Sequence, residues 1–442
     1  MRRLPFLLLL SLAACGPKHV VSEATAAAAR SACTWKAGAM TPETLASDAP
    51  TGEGIPIDHV VLIIQENHSF DNVFSQLGNG AKVAAPDATN SHADGTAVAR
   101  FHLTHPCTDE VDHSWNGSLL EYDSGMNDGF VRVNDPSGER AMGYYDATDL
   151  AFYYALAQTF AISDSHFCSV LGPTVPNRVF SLAGTAFGIT VTGNQIPPQT
   201  DPTGKPYPNI FTELDDANVS WSYYTDNSMP EGAIFIETFI NDIAHYKKFS
   251  DFATDAAAGT LPSFSIVEPK STNYGDDPDE HPPADVQVGQ AWTASVVHSL
   301  MTSPNWPRAA LFFTYDEHGG YYDSVPPPPA CAPDDIPAQL ETGEVPASYD
   351  RYGFRVPLLV VSPYARRGHV SHHITDHTSI LRFIEARFDL PAMTARDANA
   401  DPLFDMFDFG HRDTSVPSLP DATIDMDGYT YCTQRSPDPN AQ

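Results

Sequence analysis

The sequence predicts an α/β domain built on a mostly parallel central sheet, sandwiched by helices and interrupted by long loop insertions. Three observations carry that expectation. Residues 57–65 form a nearly continuous apolar, β-branched run, and 309–314 and 356–361 repeat it, the pattern of strands buried on both faces. Helical periodicity fills the stretches between such runs, at 150–159, 177–186, 291–300 and 379–388. Strands that alternate with helices pair into parallel sheets.

In chain order, Met1-Arg2-Arg3 precedes an apolar run, 4–14, that falls short of the roughly 20 residues a spanning helix needs, and reads as a signal peptide. It ends in Leu12-Ala13-Ala14-Cys15-Gly16, a bacterial lipobox in form, so Cys15 is expected to carry lipid. The chain is then exported and tethered to the bacterial cell envelope. Residues 16–54, rich in Ala, Ser, Thr and Gly, are expected to be a flexible tether, and 55–442 a single catalytic domain. The strand at 57–65 opens that domain, the helices at 150–159 and 177–186 come next, and 263–267 is a weaker strand. The helix at 291–300 leads into the strand at 309–314, and the strand at 356–361 into the last helix at 379–388. The segments 188–230 and 323–350 are dense in Pro, Asp, Gly and Asn and are expected to be insertions.

Composition removes several classes of function. With 24 basic against 56 acidic side chains the formal net charge is −32, which leaves no basic stripe for nucleic acid. A chain that is 42% hydrophobic and only 18% charged can bury a large core, so it is not disordered. Beyond Cys15 the cysteines are Cys33, Cys107, Cys168, Cys331 and Cys432, an odd number that allows at most two disulfides and leaves one thiol. In an exported chain dispersed cysteines favour disulfides over metal binding, and Cys331 and Cys432 are each expected to take part in a bridge, with the connectivity left open.

Ligands in open α/β sheets bind beyond the carboxyl ends of strands. The first strand runs into Glu66-Asn67-His68-Ser69-Phe70-Asp71, and the strand at 309–314 into Tyr315-Asp316-Glu317-His318-Gly319-Gly320. Each end offers two adjacent oxygen donors, and gathering them suits a hard divalent cation. A third element, Cys168-Ser169-Val170-Leu171-Gly172-Pro173-Thr174-Val175-Pro176-Asn177-Arg178, leads into a helix. There Thr174 is either an N-cap or, beside a metal, an activated nucleophile. Asn177 and Arg178 are placed to hold the non-reacting oxygens of a phosphoryl group. His113 and His281 lie in polar loops, where either suits a general acid. Asp376 and His377 read as a helix start.

The segment 57–74, with its Glu66-Asn67-His68-Ser69-Phe70-Asp71, resembles the opening signature of the bacterial phosphoesterase family that contains phosphatidylcholine-hydrolysing phospholipases C and a group of acid phosphatases. That signature usually has Arg where this chain has His68. Residues 161–178, Glu280-His281-Pro282-Pro283, 315–320, and Arg355-Val356-Pro357 through Asp376-His377-Thr378-Ser379 continue the resemblance in order. It implies an alkaline-phosphatase-like fold. It also implies that Glu66, Asn67, Asp316 and Glu317 ligate a divalent ion (Ca, Mg, Mn or Zn) and that Thr174 is the nucleophile. His113 and His281 stand at positions that contact phosphate or donate a proton, and His318 is expected against the substrate.

The leading expectation is a metal-dependent phosphoesterase, of acid phosphatase or phospholipase C type, acting on phosphate esters, phospholipids included, through a Thr174 phospho-enzyme. The rival is a lipid-anchored binding protein on the same fold that has lost catalysis. The net negative charge requires attraction of an anionic substrate to be local, from a metal, Arg178 and a helix N-terminus.

Overall fold

The computed structural model describes residues 20–193, 195, 200–228, 230, 243–272 and 275–435. The expected signal peptide and the expected lipidation site, Cys15, lie outside the described residues. The expected apolar run forms the strand β1 (His59–Gln65), whose last six residues are all buried. Chain order then gives β2 (Ala161–Ser163), β3 (Trp221–Tyr224), β4 (Tyr246–Lys247), β5 (Phe264–Val267), β6 (Ala309–Tyr315), β7 (Leu358–Val361) and β8 (His369–Ser371). They make one sheet of order β8-β2-β7-β6-β1-β5-β3-β4. Every pairing is parallel except those of β7, which runs antiparallel to both β6 and β2. The sheet is thus mostly parallel, as expected, with one reversed strand inside it.

Five helices position the site or secure the chain around it: α1 (Glu23–Ser31), α2 (Trp115–Tyr122), α3 (Ala151–Thr159), α4 (Thr174–Ala183) and α5 (Val286–Met301). A sixth, α6 (His377–Phe388), packs against α4. α3 packs in the same way against α5, so the helices flank the sheet in pairs. Every residue of α4 is buried, so even its polar side chains must find partners inside the protein. Its last turn ends at Gly184, whose φ of 71° closes the helix in the left-handed conformation that glycine adopts without strain. The largest core cluster runs through β1, β5, β6 and β7, so the central strands sit in a continuous apolar layer. No helix among the described residues is long and apolar enough to cross a membrane.

Two expectations are corrected. Residues 20–54 are not a loose tether. α1 is capped by Ser22, and Arg30, only 4% exposed, donates to the Thr44 carbonyl at 3.1 Å. The Trp35 backbone exchanges two hydrogen bonds with the Asn399 side chain, at 3.1 and 2.9 Å. The Cys33–Cys331 disulfide fixes the segment to the body. Most small residues of the segment stay exposed, which is why composition suggests a linker, and a few buried anchors, among them Ala26, Arg30, Thr44 and Leu45, hold it to the body. Nor is 188–230 only an insertion, since it contains β3, a strand of four residues too short to show a period.

The second disulfide, Cys107–Cys432, holds the helix Met426–Thr433, and Cys168 is the buried free thiol. Two bridges, one thiol, and bonds at both Cys331 and Cys432 agree with the cysteine count.

Candidate active site

β1 and β6 are adjacent and parallel, with Gln65 beside Tyr315 at their carboxyl ends. The residues that leave the two strands therefore emerge side by side. Glu66 and Asn67 leave β1, Asp316 and Glu317 leave β6, and none of the four is more than 3% exposed. The Asp316 N–H donates to the Gln65 carbonyl at 3.0 Å, which carries the ladder one residue past the strand. Asn67 has a φ of 70°, and Gly319 and Gly320 turn back at 65° and 73°. A Cβ on Gly319 would strike the Asn67 carbonyl, so the two turns close on each other only because that residue is glycine.

Buried carboxylates repel unless a cation compensates them. Arg178 supplies part of that charge: its guanidinium lies 2.9 Å from Glu66, 3.5 Å from Asp316 and 3.9 Å from Glu268. The expectation that Arg178 holds phosphoryl oxygens is corrected accordingly, because the buried acids claim the guanidinium. Asn177 is corrected for a similar reason. Its Oδ1 accepts from the Val170 N–H at 3.0 Å, and its amide donates to the carbonyls of Val170, Gly172 and Pro173 at 3.3, 3.0 and 3.1 Å. It shapes the loop that enters α4. Thr174 is the first residue of that helix, one turn before Arg178 on the same face. The N-cap position falls to Pro173, which makes no side-chain capping bond, so the capping reading of Thr174 does not hold.

His113 and His281, distant in sequence, come together with ring centroids 5.9 Å apart. His113 Nδ1 faces the Val111 carbonyl at 2.8 Å and His281 Nδ1 the Pro282 carbonyl at 2.8 Å. Carbonyls only accept, so each Nδ1 carries a proton and each Nε2 carries the lone pair of the neutral ring. His113 Nε2 lies 3.2 Å from the Asn67 amide, 3.8 Å from Glu317 Oε1 and 3.7 Å from Glu110 Oε1. Burial acts to lower the His113 pKa, but the charges of Glu317 and Glu110 outweigh it and raise it above the ordinary value.

His318 does not stand against a substrate, which is a further correction. It is 1% exposed, with Nε2 2.7 Å from Glu121 and Nδ1 3.3 Å from Glu317 Oε2, and its ring packs against Phe354. Burial acts to lower its pKa, yet the Glu121 charge and hydrogen bond raise it to about 9. Glu317 Oε2 also accepts from the Gly319 N–H at 2.7 Å. Burial alone would raise the Glu317 pKa, and His113 and His318 together hold it below the usual range.

With Oε2 anchored in this way, Glu317 Oε1 is buried without a hydrogen-bond partner among the described residues, and so is Asn67 Oδ1. Orphaned buried oxygens are costly. Glu66 and Asp316 leave the same two strand ends, and oxygen donors of this kind have the chemistry that suits a hard divalent cation. The four strand-end oxygen donors and the two histidines were legible in the sequence. Glu110, Glu121 and Glu268 were not. Only the spacing of Glu110, three residues before His113, offered a signal.

A model of the Phosphoesterase family matches residues 57–391. Phospholipase C B of Mycobacterium tuberculosis is 30% identical over 452 residues, covering 89% of this chain and 85% of that protein. Phospholipase C A of the same organism is 32% identical over 415 residues, covering 80% and 77%. Among solved structures, a protein in the alkaline phosphatase superfamily from Vibrio parahaemolyticus aligns with a TM-score of 0.37 at 10% identity, covering 78% of this chain and 69% of that one.

Proposed function

The chain belongs to the phosphoesterase family and is a hydrolase of phosphoric ester bonds, and from that premise we propose a metal-dependent reaction of phospholipase C or acid phosphatase type that passes through a phosphothreonine at Thr174. One observation carries the reading: the orphaned, buried Asn67 Oδ1 and Glu317 Oε1, side by side at the ends of two adjacent strands. Asn67 and Glu317, with Glu66 and Asp316, would hold the ion. Bound there, a divalent cation supplies charge stabilisation to the phosphoryl oxygens and acidifies a nearby hydroxyl.

The chain's own groups do the rest. Thr174 Oγ1 attacks phosphorus and gives up its proton to solvent, forming the phosphothreonine and expelling the ester oxygen. The hydroxyl is available because the N-cap position belongs to Pro173, and the loop that presents it is pinned by Asn177. The leaving oxygen takes its proton from Nε2 of His113 or His281 in the imidazolium form, which the Glu317 and Glu110 carboxylates favour at His113. Water then releases phosphate or phosphocholine by the reverse use of the same groups. Phosphate esters, choline phospholipids among them, are the substrate class. The envelope address belongs to the same proposal, with lipid on Cys15, and a Cys15→Ser chain that still partitions with membranes would overturn that part.

The reaction is tested by hydrolysis of an aryl phosphate and of a choline phospholipid, with and without chelator, in wild type and Thr174→Val. The expected result is a loss of about 1,000-fold or more in kcat for the variant, together with a phosphothreonine trapped by acid quench in wild type. Undiminished turnover by Thr174→Val would sink the mechanism.

A further inference from the structure

The turn that carries His281 is fastened to the carboxyl end of β1. The Glu66 N–H donates to the Asp279 carbonyl at 2.8 Å, the Gln65 amide to the Pro278 carbonyl at 3.0 Å, and His68 Nε2 to the Glu280 carbonyl at 3.1 Å. Glu280 turns the chain at a φ of 72°, a left-handed conformation unfavourable for a residue with a side chain and kept only where the surroundings impose it. Its carboxyl group is 0% exposed. We infer that Glu280 is a positioning residue, a buried carboxyl that locks this turn against β1, β6, α3 and α5 and so sets where the His281 imidazole meets the phosphoryl group.

Both carboxyl oxygens are engaged. Oε1 accepts from the Tyr153 hydroxyl of α3 and from the Gln65 amide at 3.3 Å, and Oε2 accepts from the Tyr315 hydroxyl at 2.6 Å. Gln65 and Tyr315 are the paired last residues of β1 and β6, directly before the oxygen donors that leave the two strands. One side chain therefore registers both strand ends and passes their position to the histidine that follows it in sequence. Buried hydrogen-bond networks with every carboxyl oxygen satisfied are rigid, which suits a group that must fix a distance.

A second element makes room for this carboxyl. Gly289 lies inside α5 against the Glu280 side chain, and a Cβ there would collide with Glu280 Cγ. Glycine within a helix is less favourable than alanine, so α5 gives up helix propensity at the one point where Glu280 enters. On the far side of the turn, the His281 N–H donates to Asp279 Oδ1 at 3.1 Å and its Nδ1 donates to the Pro282 carbonyl at 2.8 Å. Ring orientation is thus set by the turn, with Nε2 as the nitrogen that acts on the substrate, and Glu280 reaches that nitrogen through the backbone it holds.

This inference deepens the phosphoester reading and rests on it for the role of His281. Its test is steady-state hydrolysis of the 4-nitrophenyl and phenyl esters of phosphate and of phosphocholine, with manganese titration and near-ultraviolet circular dichroism of every variant. His281→Ala is expected to lower kcat about 100-fold on the phenyl esters and less on the nitrophenyl esters, whose leaving oxygen has little need of a proton. Glu280→Ala should reproduce that pattern with KM and manganese affinity little changed. The double variant should be no slower than His281→Ala alone, because both substitutions remove the same interaction. Glu280→Gln should recover most of the rate, since its amide keeps an acceptor and the tyrosine hydroxyls rotate to meet its N–H groups. Gly289→Ala crowds Glu280 while leaving its chemistry intact, and should lower kcat in the same sense as Glu280→Ala. Additive losses, a leaving-group pattern unlike that of His281→Ala, or a loss that lies in manganese affinity overturns the positioning role. Thr174→Val, assayed separately, tests the phosphoester reading itself, so a failure there is told apart from a failure at Glu280.

Discussion

The Arg178 guanidinium meets the Glu66 carboxylate at 2.9 Å, with the two side chains 5% and 4% exposed. A buried ion pair is weak evidence of net stability, but removing one partner strands the other and costs about 3–5 kcal/mol. Arg178→Met is therefore expected to lower the thermal stability of the metal-free protein by about that much, because Asp316 and Glu268 lose compensation as well. A divalent cation should recover part of the loss by pairing with the same carboxylates. Melting curves with and without chelator check this, and an identical loss in both would show that Arg178 acts through packing rather than charge.

Asn177 uses both ends of its amide on residues 170–173, directly before Thr174. Asn177→Ala leaves several buried backbone groups unpaired, for an expected cost of about 2–3 kcal/mol. If its role is to place the Thr174 hydroxyl, kcat should fall while KM changes little, because ground-state contacts to the substrate remain. A rise in KM with unchanged kcat would instead restore Asn177 as a binding residue.

What could be read from the sequence, and what could not, depends on the range of each signal. β1 and β6 declare themselves because strands buried on both faces need unbroken apolar runs, and the residues that come after them inherit a known location. β2 and β3 are also fully buried, but three and four residues hold too little pattern to separate them from loop. Arg178 could be placed beside the site by its position four residues after Thr174. Whether its charge faces substrate or carboxylate depends on Glu66, Asp316 and Glu268, which reach it only through folding. Glu121 is the extreme case, a helix residue whose meaning lies wholly in His318. The misread residues 20–54 teach the same lesson, since the Asn399 and Cys331 that secure them lie at the other end of the chain.

The Cys33–Cys331 bridge closes a separation of 298 residues. Cross-links over long loops restrict the unfolded chain most, and losing one typically costs about 2–5 kcal/mol. Cys33→Ser should lower the melting temperature and expose residues 20–54 to limited proteolysis before the domain itself. Unchanged protease resistance would mean that the α1 contacts alone hold the segment.

Asp285 caps α5, accepting from the Gln287 N–H at 2.8 Å, while its Oδ2 is buried without a hydrogen-bond partner. Burial outweighs the bonds from Gln287 and Val288 and raises its pKa from 3.8 to about 6. A carboxyl whose folded pKa is raised favours the folded state fully below the unfolded pKa, and that contribution is lost as pH rises through the folded one. Wild type should therefore lose about 1–2 kcal/mol between about pH 4 and pH 7 relative to Asp285→Asn, which keeps a capping oxygen and does not titrate. Parallel stability profiles for the two proteins across that window would refute the shift.

Glu121 touches no candidate ligand, yet it governs one through His318. Its Oε2 is 2.7 Å from His318 Nε2, and the far nitrogen of that ring lies 3.3 Å from Glu317 Oε2. With the Gly319 N–H, this holds one oxygen of Glu317 and leaves Oε1 aimed at the site. Glu121→Ala should free the imidazole, let Glu317 turn, and weaken cation binding by about 10–100-fold, the usual effect of losing an outer-shell partner. Glu121→Gln keeps an acceptor for the Nε2 proton and should recover much of the affinity. Manganese binding measured by calorimetry ranks the series, with His318→Gln as the companion variant. If position depends on the chain of contacts, Glu121→Ala and His318→Gln weaken binding to a similar extent and their double variant is no worse than either, since both break the same link. Additive losses would mean that Glu121 acts as a separate long-range charge, and the positioning role would be wrong.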